Sequence, residues 1–381
     1  MNIIINKSEQ INRFSTGFFY VLYICLCIYY PMYSFTRQTF PQFLDQLTMI
    51  YHILLLLLLV KIILQKNSIA EWFILAVLLY LCRKSYQYNY DFYNIFGTMM
   101  FLLCAKNLDL HKIIRLDLYI RIIRSILFFT LPFCGLMINK INIPVGGRLR
   151  TFFGWTHPNM MGLDFLLLSM DIFYLRKEKR KWYDIILYLG FIILLDVTAN
   201  SRTAEAAILL LIIVHLFSLF MPQKAFYKLL AISTAGAFLT SVLLPIAGSY
   251  LYLRYPDFIV SHTATLGSRF SLTARFYEAN EGLGFYGFPL YGDDCLDMLF
   301  AYTGLHWGIC ATVILLAAMC ICLYSVIRSK HTDMLVLLLL FFVYSCLEVA
   351  HIYPAYSYFT LIIGYYALNY KRNHIHHIND T

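Results

Sequence analysis

Charged residues are scarce in this sequence. Only 13% of its 381 residues are Asp, Glu, Lys or Arg, whereas 60% are hydrophobic. A soluble domain of this length has too little buried volume to hide that much apolar surface. There is also no Cys-x-x-Cys pair, and the ten cysteines lie mostly within apolar runs. The composition therefore excludes an ordinary soluble domain, and it favours cysteines as small core residues over a redox or metal site.

Apolar runs of about 20 residues recur along the whole chain, and each is long enough to cross about 30 Å of hydrocarbon. Since backbone in lipid must satisfy its own hydrogen bonds, we predict an all-α, polytopic integral membrane protein forming a single transmembrane domain over 1–381. About 12 (10–12) transmembrane helices are expected. The first is expected to be retained, because the residues before it lack a small-residue cleavage site. The predicted spans are 16–34, 46–65, 69–83, 92–105, 119–139, 159–175, 182–199, 203–221, 227–247, 297–325, 332–350 and 355–370.

Lysine and arginine predict the orientation of these spans. The basic run "RKEKRK" at 176–181 is expected on the cytoplasmic side, which places both termini there. The inner side then carries 12 Lys and 8 Arg, and the outer side 2 Lys and 8 Arg. Arginine suits phosphate, although headgroup contacts or chance would also explain the outer excess. The net charge of +9 is explained by anchoring at the inner leaflet and requires no nucleic acid.

The stretch "GWTHPNMMG" (154–162) places polar residues where an apolar run begins. Pro158 is suited to a first helical position, with His157 or Thr156 as the cap. Capping leaves three polar neighbours without a role: Arg148, Arg150 and Asn159.

A second polar stretch, "DVTANSRTAEA" (196–206), predicts a tight outer turn. Ser201 would cap the next helix, and Glu205 would lie in its first turn, where the helix dipole favours an acid. Arg202 is left unexplained, unless it simply reaches toward the lipid headgroups.

The residues at about 248–296 are expected to form one long extracytoplasmic loop, a length that usually indicates function or disorder. Its aromatic content argues against disorder. Within it, "SRFSLTARFYEA" predicts an amphipathic helix at the membrane interface. The loop carries Arg254, Arg269, Arg275, Asp293, Asp294 and Asp297.

Several ionisable residues of the apolar runs fall toward their outer ends, which favours a polar cavity open to the outside. They are Asp164, Asp196, Glu205, Glu348 and His351. Asp171 and His215 lie deeper, and we interpret them as packing or pairing residues.

Four short segments resemble those of a known family. "RLRTFFGWTHPNMMG" is similar to the Arg…Gly-x-x-x-His-Pro-Asn…Gly segment of bacterial O-antigen polymerases and O-antigen ligases, a group that includes capsule and exopolysaccharide polymerases. "TANSRTA" resembles the family's Ser-Arg turn, and "GSRFSLTARFYEA" with "GFYGFPLYG" its large outer loop. "DDCLDMLFAYTG" is similar to the segment that follows. The resemblance covers most of the chain in order, but specific residues only in these segments.

The resemblance implies a glycosyltransferase at the outer face of the bacterial plasma membrane, which moves a glycan from polyprenyl pyrophosphate onto a lipid-linked repeat unit. Such a reaction needs cations for the leaving pyrophosphate and a base for the acceptor hydroxyl. The pyrophosphate-binding residues would be Arg148, Arg150, Arg202, Arg269 and Arg275. The catalytic candidates are Asp293, Asp294 and His157, with Asn159, Ser201 and His351 in support. No nucleotide, metal or other cofactor is expected. The partners would be the lipid-linked oligosaccharide, polyprenyl pyrophosphate, membrane lipids, and flippase and chain-length regulator proteins.

Two alternatives stay open on the sequence alone. A polysaccharide ligase with a different acceptor would use the same site. A lipid-linked oligosaccharide flippase or transporter would also be polytopic, but it should show internal repeats and broken helices, and the sequence shows neither clearly.

Overall fold

A computed structural model describes residues 7–89, 92–139, 141–142, 150–262, 264–290 and 296–369. These residues are helical almost throughout, so the all-α prediction is confirmed for them. The helices are α1 (Lys7–Thr39), α2 (Leu44–Leu64), α3 (Ile69–Asn89), α4 (Phe92–Cys104), α5 (Leu110–Phe133), α6 (Pro158–Leu175), α7 (Asp184–Val197), α8 (Arg202–Phe220), α9 (Gln223–Arg254), α10 (Pro256–His262), α11 (Ala264–Ala279), α12 (Leu299–Ala301), α13 (Ile309–Arg328), α14 (Thr332–Ser345) and α15 (Phe359–Leu368). Two short strands, β1 (Ile141–Asn142) and β2 (Arg150–Thr151), pair antiparallel.

Five described helices are long and apolar enough to cross a membrane, which is compatible with an integral membrane protein. They cover Gln10–Thr39, Pro41–Leu64, Arg202–Phe220, Gln223–Arg254 and Ile309–Arg328. Tyr93–Cys104, Thr332–Ser345 and Phe359–Leu368 are shorter apolar helices. A helix lies at each predicted span, but the number of crossings and their direction stay predictions.

Two segments differ from the sequence-based prediction. The expected single span at 297–325 is broken: α12 leads into a π-helical turn at Tyr302–Trp307, and α13 begins after Gly308. The expected loop at 248–296 is helical over much of its described length, because α9 continues to Arg254 and α10 and α11 follow. The predicted helix at "SRFSLTARFYEA" is confirmed as part of α11.

The described chain divides into two compact units. The first is drawn from Met1–Ser68, Met100–Met221 and Ile352–Tyr365. In this unit α1 packs on α2 and α5, α5 packs on α6, and α6 and α7 pack on α8. The middle of α6 is buried on all sides, as expected for a helix that is hydrophobic around its whole circumference.

The second unit is drawn from Ile69–Met99, Pro222–His351 and Tyr366–Thr381. The long helix α9 packs along α14 and α11. The helix break is held by the segment 284–290, whose Phe288 N–H donates to the Leu305 carbonyl at 3.0 Å. Gly287 and Gly308 have φ of +79° and +91°, and a Cβ on Gly287 would lie 1.9 Å from the His306 carbonyl oxygen. The break is therefore fixed by backbone packing that admits only glycine at these positions.

Candidate functional site

Residues 157–159 form the start of α6. Pro158 is its first residue, and His157 is the N-cap, with its Nδ1 accepting the Asn159 N–H at 3.1 Å. Both expectations are confirmed. Because the Nδ1 lone pair accepts this bond, the neutral imidazole carries its proton on Nε2. His157 is exposed, its Nε2 is a hydrogen-bond donor in this tautomer, and the tautomer argues against the general-base role considered for it.

The residues just before the cap are tied to the interior of the first unit. Trp155 is fully buried, and its Nε1 donates to Asp164 Oδ2 at 2.7 Å. Thr156 Oγ1 lies 3.2 Å from the Tyr30 hydroxyl. The Gly154 N–H donates to the Phe128 carbonyl at 3.2 Å. The residues of "GWTHPNMMG" that precede His157 thus have hydrogen-bond partners inside the protein, and His157 itself caps the helix.

Arg150 and Arg202 lie beside the same turn. The Thr151 N–H donates to the Thr198 carbonyl at 3.0 Å, which holds β2 against the turn between α7 and α8. Arg202 is exposed at the first position of α8. Within the described residues neither guanidinium has a hydrogen bond or an ion pair, and the Arg150 Nε is shielded from solvent without an acceptor. Two cations without an acidic partner in the described structure therefore flank the same turn.

Ser201 fixes this turn by packing and makes no capping hydrogen bond. It is the N-cap residue of α8, but its side chain does not bond to the helix, so the predicted capping role is wrong. The reason is steric: Ser201 is 2% exposed and faces the bare backbone of Gly162, where a Cβ would lie 2.2 Å from its Oγ. Glu205 lies in the first turn of α8, as expected.

In the second unit, Arg269 on α11 is engaged by acids. Its Nη2 lies 3.1 Å from Glu348 Oε1, and its Nε lies 3.6 Å from Asp297 Oδ2. The Nε also donates to the Leu347 carbonyl at 3.0 Å. A phosphate would have to displace a carboxylate here, which makes Arg269 a weaker pyrophosphate candidate than Arg150 or Arg202. Arg275, on the same helix, is exposed.

His351 is fully buried between the rings of Phe341 and Tyr344, and its Nε2 lies 2.8 Å from Ser345 Oγ. Burial lowers the pKa of His351 to about 3, because desolvation disfavours the charged ring. A neutral imidazole enclosed in this way supports the fold and has no access to a substrate.

Three of the predicted site residues, Arg148, Asp293 and Asp294, lie outside the described residues. Among the described ranges no group of three or more His, Cys, Asp or Glu side chains is placed to hold a metal ion.

The sequence-based reasoning missed a buried charge cluster between α5 and α6, which we call the α5–α6 charge cluster. It consists of Asp117, Arg121, Arg124, Asp164 and Asp171, each at most 3% exposed. Arg121 Nη1 donates to Asp164 Oδ1 at 2.6 Å, and Arg124 Nη2 donates to the same oxygen. Asp164 is therefore paired inside the protein and does not line an open cavity. The pairing role predicted for Asp171 is confirmed, since it accepts the Tyr358 hydroxyl hydrogen bond.

The signal for this cluster is present in the sequence of α5. Asp117, Arg121 and Arg124 are spaced three and four residues apart in an otherwise apolar stretch, which places them on one helix face. Charges on one face of an apolar helix predict an internal partner. The predicted topology instead places both arginines at the cytoplasmic end of the span 119–139.

The fold and the two site regions define a helical protein with several apolar helices suited to a membrane. Comparison of the chain with protein-family models, curated proteins and solved structures finds no match in any of the three. The function proposed next therefore rests on the residues of this chain.

Proposed function

We propose that this protein is a polysaccharide polymerase of the outer face of the plasma membrane. It transfers a glycan from polyprenyl pyrophosphate onto a lipid-linked repeat unit. The observation that carries the proposal is the position of Arg150 and Arg202 beside one turn, with no acidic partner in the described residues. The exposed His157 is the N-cap of the adjoining helix and lies five positions before Gly162, which contacts that same turn.

These groups suit a leaving pyrophosphate. Negative charge grows on the departing oxygen in the transition state, and fixed guanidinium groups stabilise it through bidentate hydrogen bonds. Arg202 is also the first residue of a 19-residue helix, where the helix dipole favours an anion. His157 adds a neutral donor through Nε2. The site thus needs neither a nucleotide nor a metal for this role.

The reaction requires one further group. The acceptor hydroxyl oxygen forms a bond to the anomeric carbon of the donor, the bond from that carbon to pyrophosphate breaks, and the hydroxyl proton passes to a base. We assign this base from the sequence alone to Asp293 or Asp294, which lie outside the described residues.

The test replaces each guanidinium group, which can form two parallel hydrogen bonds, with a lysine ammonium group that keeps the charge. In a strain that lacks the chromosomal copy, Arg202→Lys and Arg150→Lys should each reduce polymer formation by roughly ten- to a hundredfold, since a charge-assisted hydrogen bond contributes about 1.5–3 kcal/mol. The readout is the ratio of polymer to lipid-linked single repeat units. Arg254→Lys is the matched control, because that exposed arginine contacts the Tyr250 ring instead. Normal polymer from both site variants, with normal membrane levels, refutes the proposal.

The same strain separates the alternatives. A ligase with a different acceptor would leave full-length, unattached polymer in the deletion strain, whereas a polymerase leaves single repeat units on lipid. A transporter would leave those units on the cytoplasmic side. The broken helix at Gly308 is the structural feature that favours a transporter. However, the first N–H groups of α13, at Ile309 and Cys310, already donate to the carbonyls of Gly284 and Phe285.

A further inference from the structure

The α5–α6 charge cluster contains one more acid than base. Its carboxylates are Asp117, Asp164 and Asp171, and its cations are Arg121 and Arg124. If all five were ionised, the cluster would carry one uncompensated negative charge among side chains that are at most 3% exposed. No other Lys or Arg forms an ion pair with these acids in the part of the chain that the structure describes. A buried, unpaired charge is strongly disfavoured, so a neutralising ligand is needed.

Two of the three acids have the partners of ionised carboxylates. Asp164 accepts from Arg121 and Arg124 through Oδ1 and from Trp155 through Oδ2. Asp117 accepts from Arg121 through both oxygens, and from the Tyr23 hydroxyl at 2.6 Å. Each therefore accepts at least three donors that stabilise its negative form.

Asp171 is different. Its Oδ1 accepts the Tyr358 hydroxyl, but its Oδ2 is enclosed without a hydrogen-bond partner in the described structure. The closest cationic atom, Arg121 Nε, is 4.0 Å away and already donates to Asp117. Asp117 and Asp171 are neighbours, because the carboxylates of both face Arg121 Nε. When two neighbouring carboxylates share one cation, a proton on one of them relieves the repulsion between the two negative charges.

We propose that Asp171 is a proton-binding site, whose carboxyl group stays protonated at neutral pH and donates from Oδ2 to Asp117. The proton makes the cluster electroneutral and gives the enclosed Oδ2 a partner. The titratable and charged groups that face this site come from four segments: Tyr23 and Cys27 of α1, Asp117, Arg121 and Arg124 of α5, Asp164 of α6, and Tyr358 before α15. The proposal does not depend on the polymerase function.

Asparagine mimics a protonated aspartate, since its amide N–H can replace the carboxyl O–H and its carbonyl can accept the Tyr358 hydrogen bond. Asp171→Asn in the full chain, purified in detergent, should therefore keep its Tm within about 2 °C of the wild type. Asp164→Asn removes a charge that faces two buried arginines, and it should lower the Tm by at least about 5 °C. An Asp171→Asn protein as unstable as Asp164→Asn overturns the proposal.

Infrared spectroscopy tests the proton directly, and it needs only the folded wild type and Asp171→Asn. The wild type at pH 7 should show the carbonyl stretch of a protonated, buried carboxyl group that shifts in D2O. This band should be missing from Asp171→Asn and unchanged in Asp196→Asn, which alters an exposed acid on α7. A wild type without the band, or an Asp171→Asn protein that retains it, refutes the assignment. Stabilisation by sodium together with a missing band would indicate a metal cation in place of the proton.

Discussion

Gly162 should be intolerant of even one added methyl group. A Cβ at this position would lie 2.2 Å from Ser201 Oγ, 2.6 Å from Ser201 Cβ and 2.9 Å from Ala204 Cβ. These distances are far below van der Waals contact, and the neighbours belong to the rigid start of α8. The variant Gly162→Ala must therefore push α8 away from α6 or distort both helices. Overpacking of this kind costs about 1–3 kcal/mol.

The matched control is Gly190→Ala. Gly190 lies within α7, and a Cβ there would meet nothing within 4 Å. Without a steric conflict, alanine should stabilise the helix by about 0.5–1 kcal/mol over glycine. Thermal unfolding in detergent should thus separate the two variants by several degrees, in opposite directions from the wild type.

The same perturbation tests the site. Because the displaced turn carries Arg202, Gly162→Ala should lose polymer formation as well as stability. Adding Ser201→Gly removes the two closest clashing atoms, so the double variant should recover part of both losses, with a coupling energy of about 0.5–3 kcal/mol. If Gly162→Ala proves as stable as Gly190→Ala, the close contact between α6 and α8 is wrong, and with it the placement of Arg202.

Two further predictions concern the histidines. In the folded protein the pKa of His351 is lowered to about 3, against an ordinary value of 6.5. The neutral ring therefore contributes stability that is fully present above pH 6.5 and is lost as the pH falls below it, by about 1.4 kcal/mol per pH unit. His351→Asn should flatten this slope in urea unfolding between pH 6 and 4, and an unchanged slope contradicts the assignment. His157→Asn keeps a side-chain acceptor at the N-cap but removes the Nε2 donor. Its free energy of unfolding should stay within about 0.5 kcal/mol of the wild type while it forms less polymer, whereas His157→Ala should also lose about 1 kcal/mol of stability. Normal polymer from His157→Asn would remove this residue from the site.

The sequence was sufficient to predict features that depend on neighbouring residues. Helices lie at the apolar runs, and Pro158 with His157 begins α6, because the fixed φ of proline and a capping acceptor act locally. The helix break at Gly308 was missed for a different reason. It depends on Gly287, which lies 21 positions earlier in the chain and meets Gly308 only in the folded unit.

The charge cluster shows the same limit. Asp117 and Arg121 are one helical turn apart and could be recognised as a pair from their spacing. Arg121 and Asp164, however, are 43 residues apart and meet only when α5 packs on α6. Ser201 was predicted to cap α8 because serine prefers N-caps, and the close approach of Gly162 turned the side chain to packing instead.

Asp164 and Gly162 connect the two proposals made for the first unit. Asp164 holds Trp155, which precedes the helix cap, and Gly162 seats the turn that carries Arg202. Asp164 binds Trp155 and both arginines most strongly while it is ionised, and a proton on Asp171 favours this state by removing the excess charge from the cluster. If the proton instead resided on Asp164, the hydrogen bonds from Arg121 and Arg124 to Oδ1 would weaken, and so would the bond from Trp155 to Oδ2. The position of the proton therefore affects how firmly His157 is held at the start of α6. The Tm of Asp164→Asn measures how much stability the contacts of an ionised Asp164 contribute.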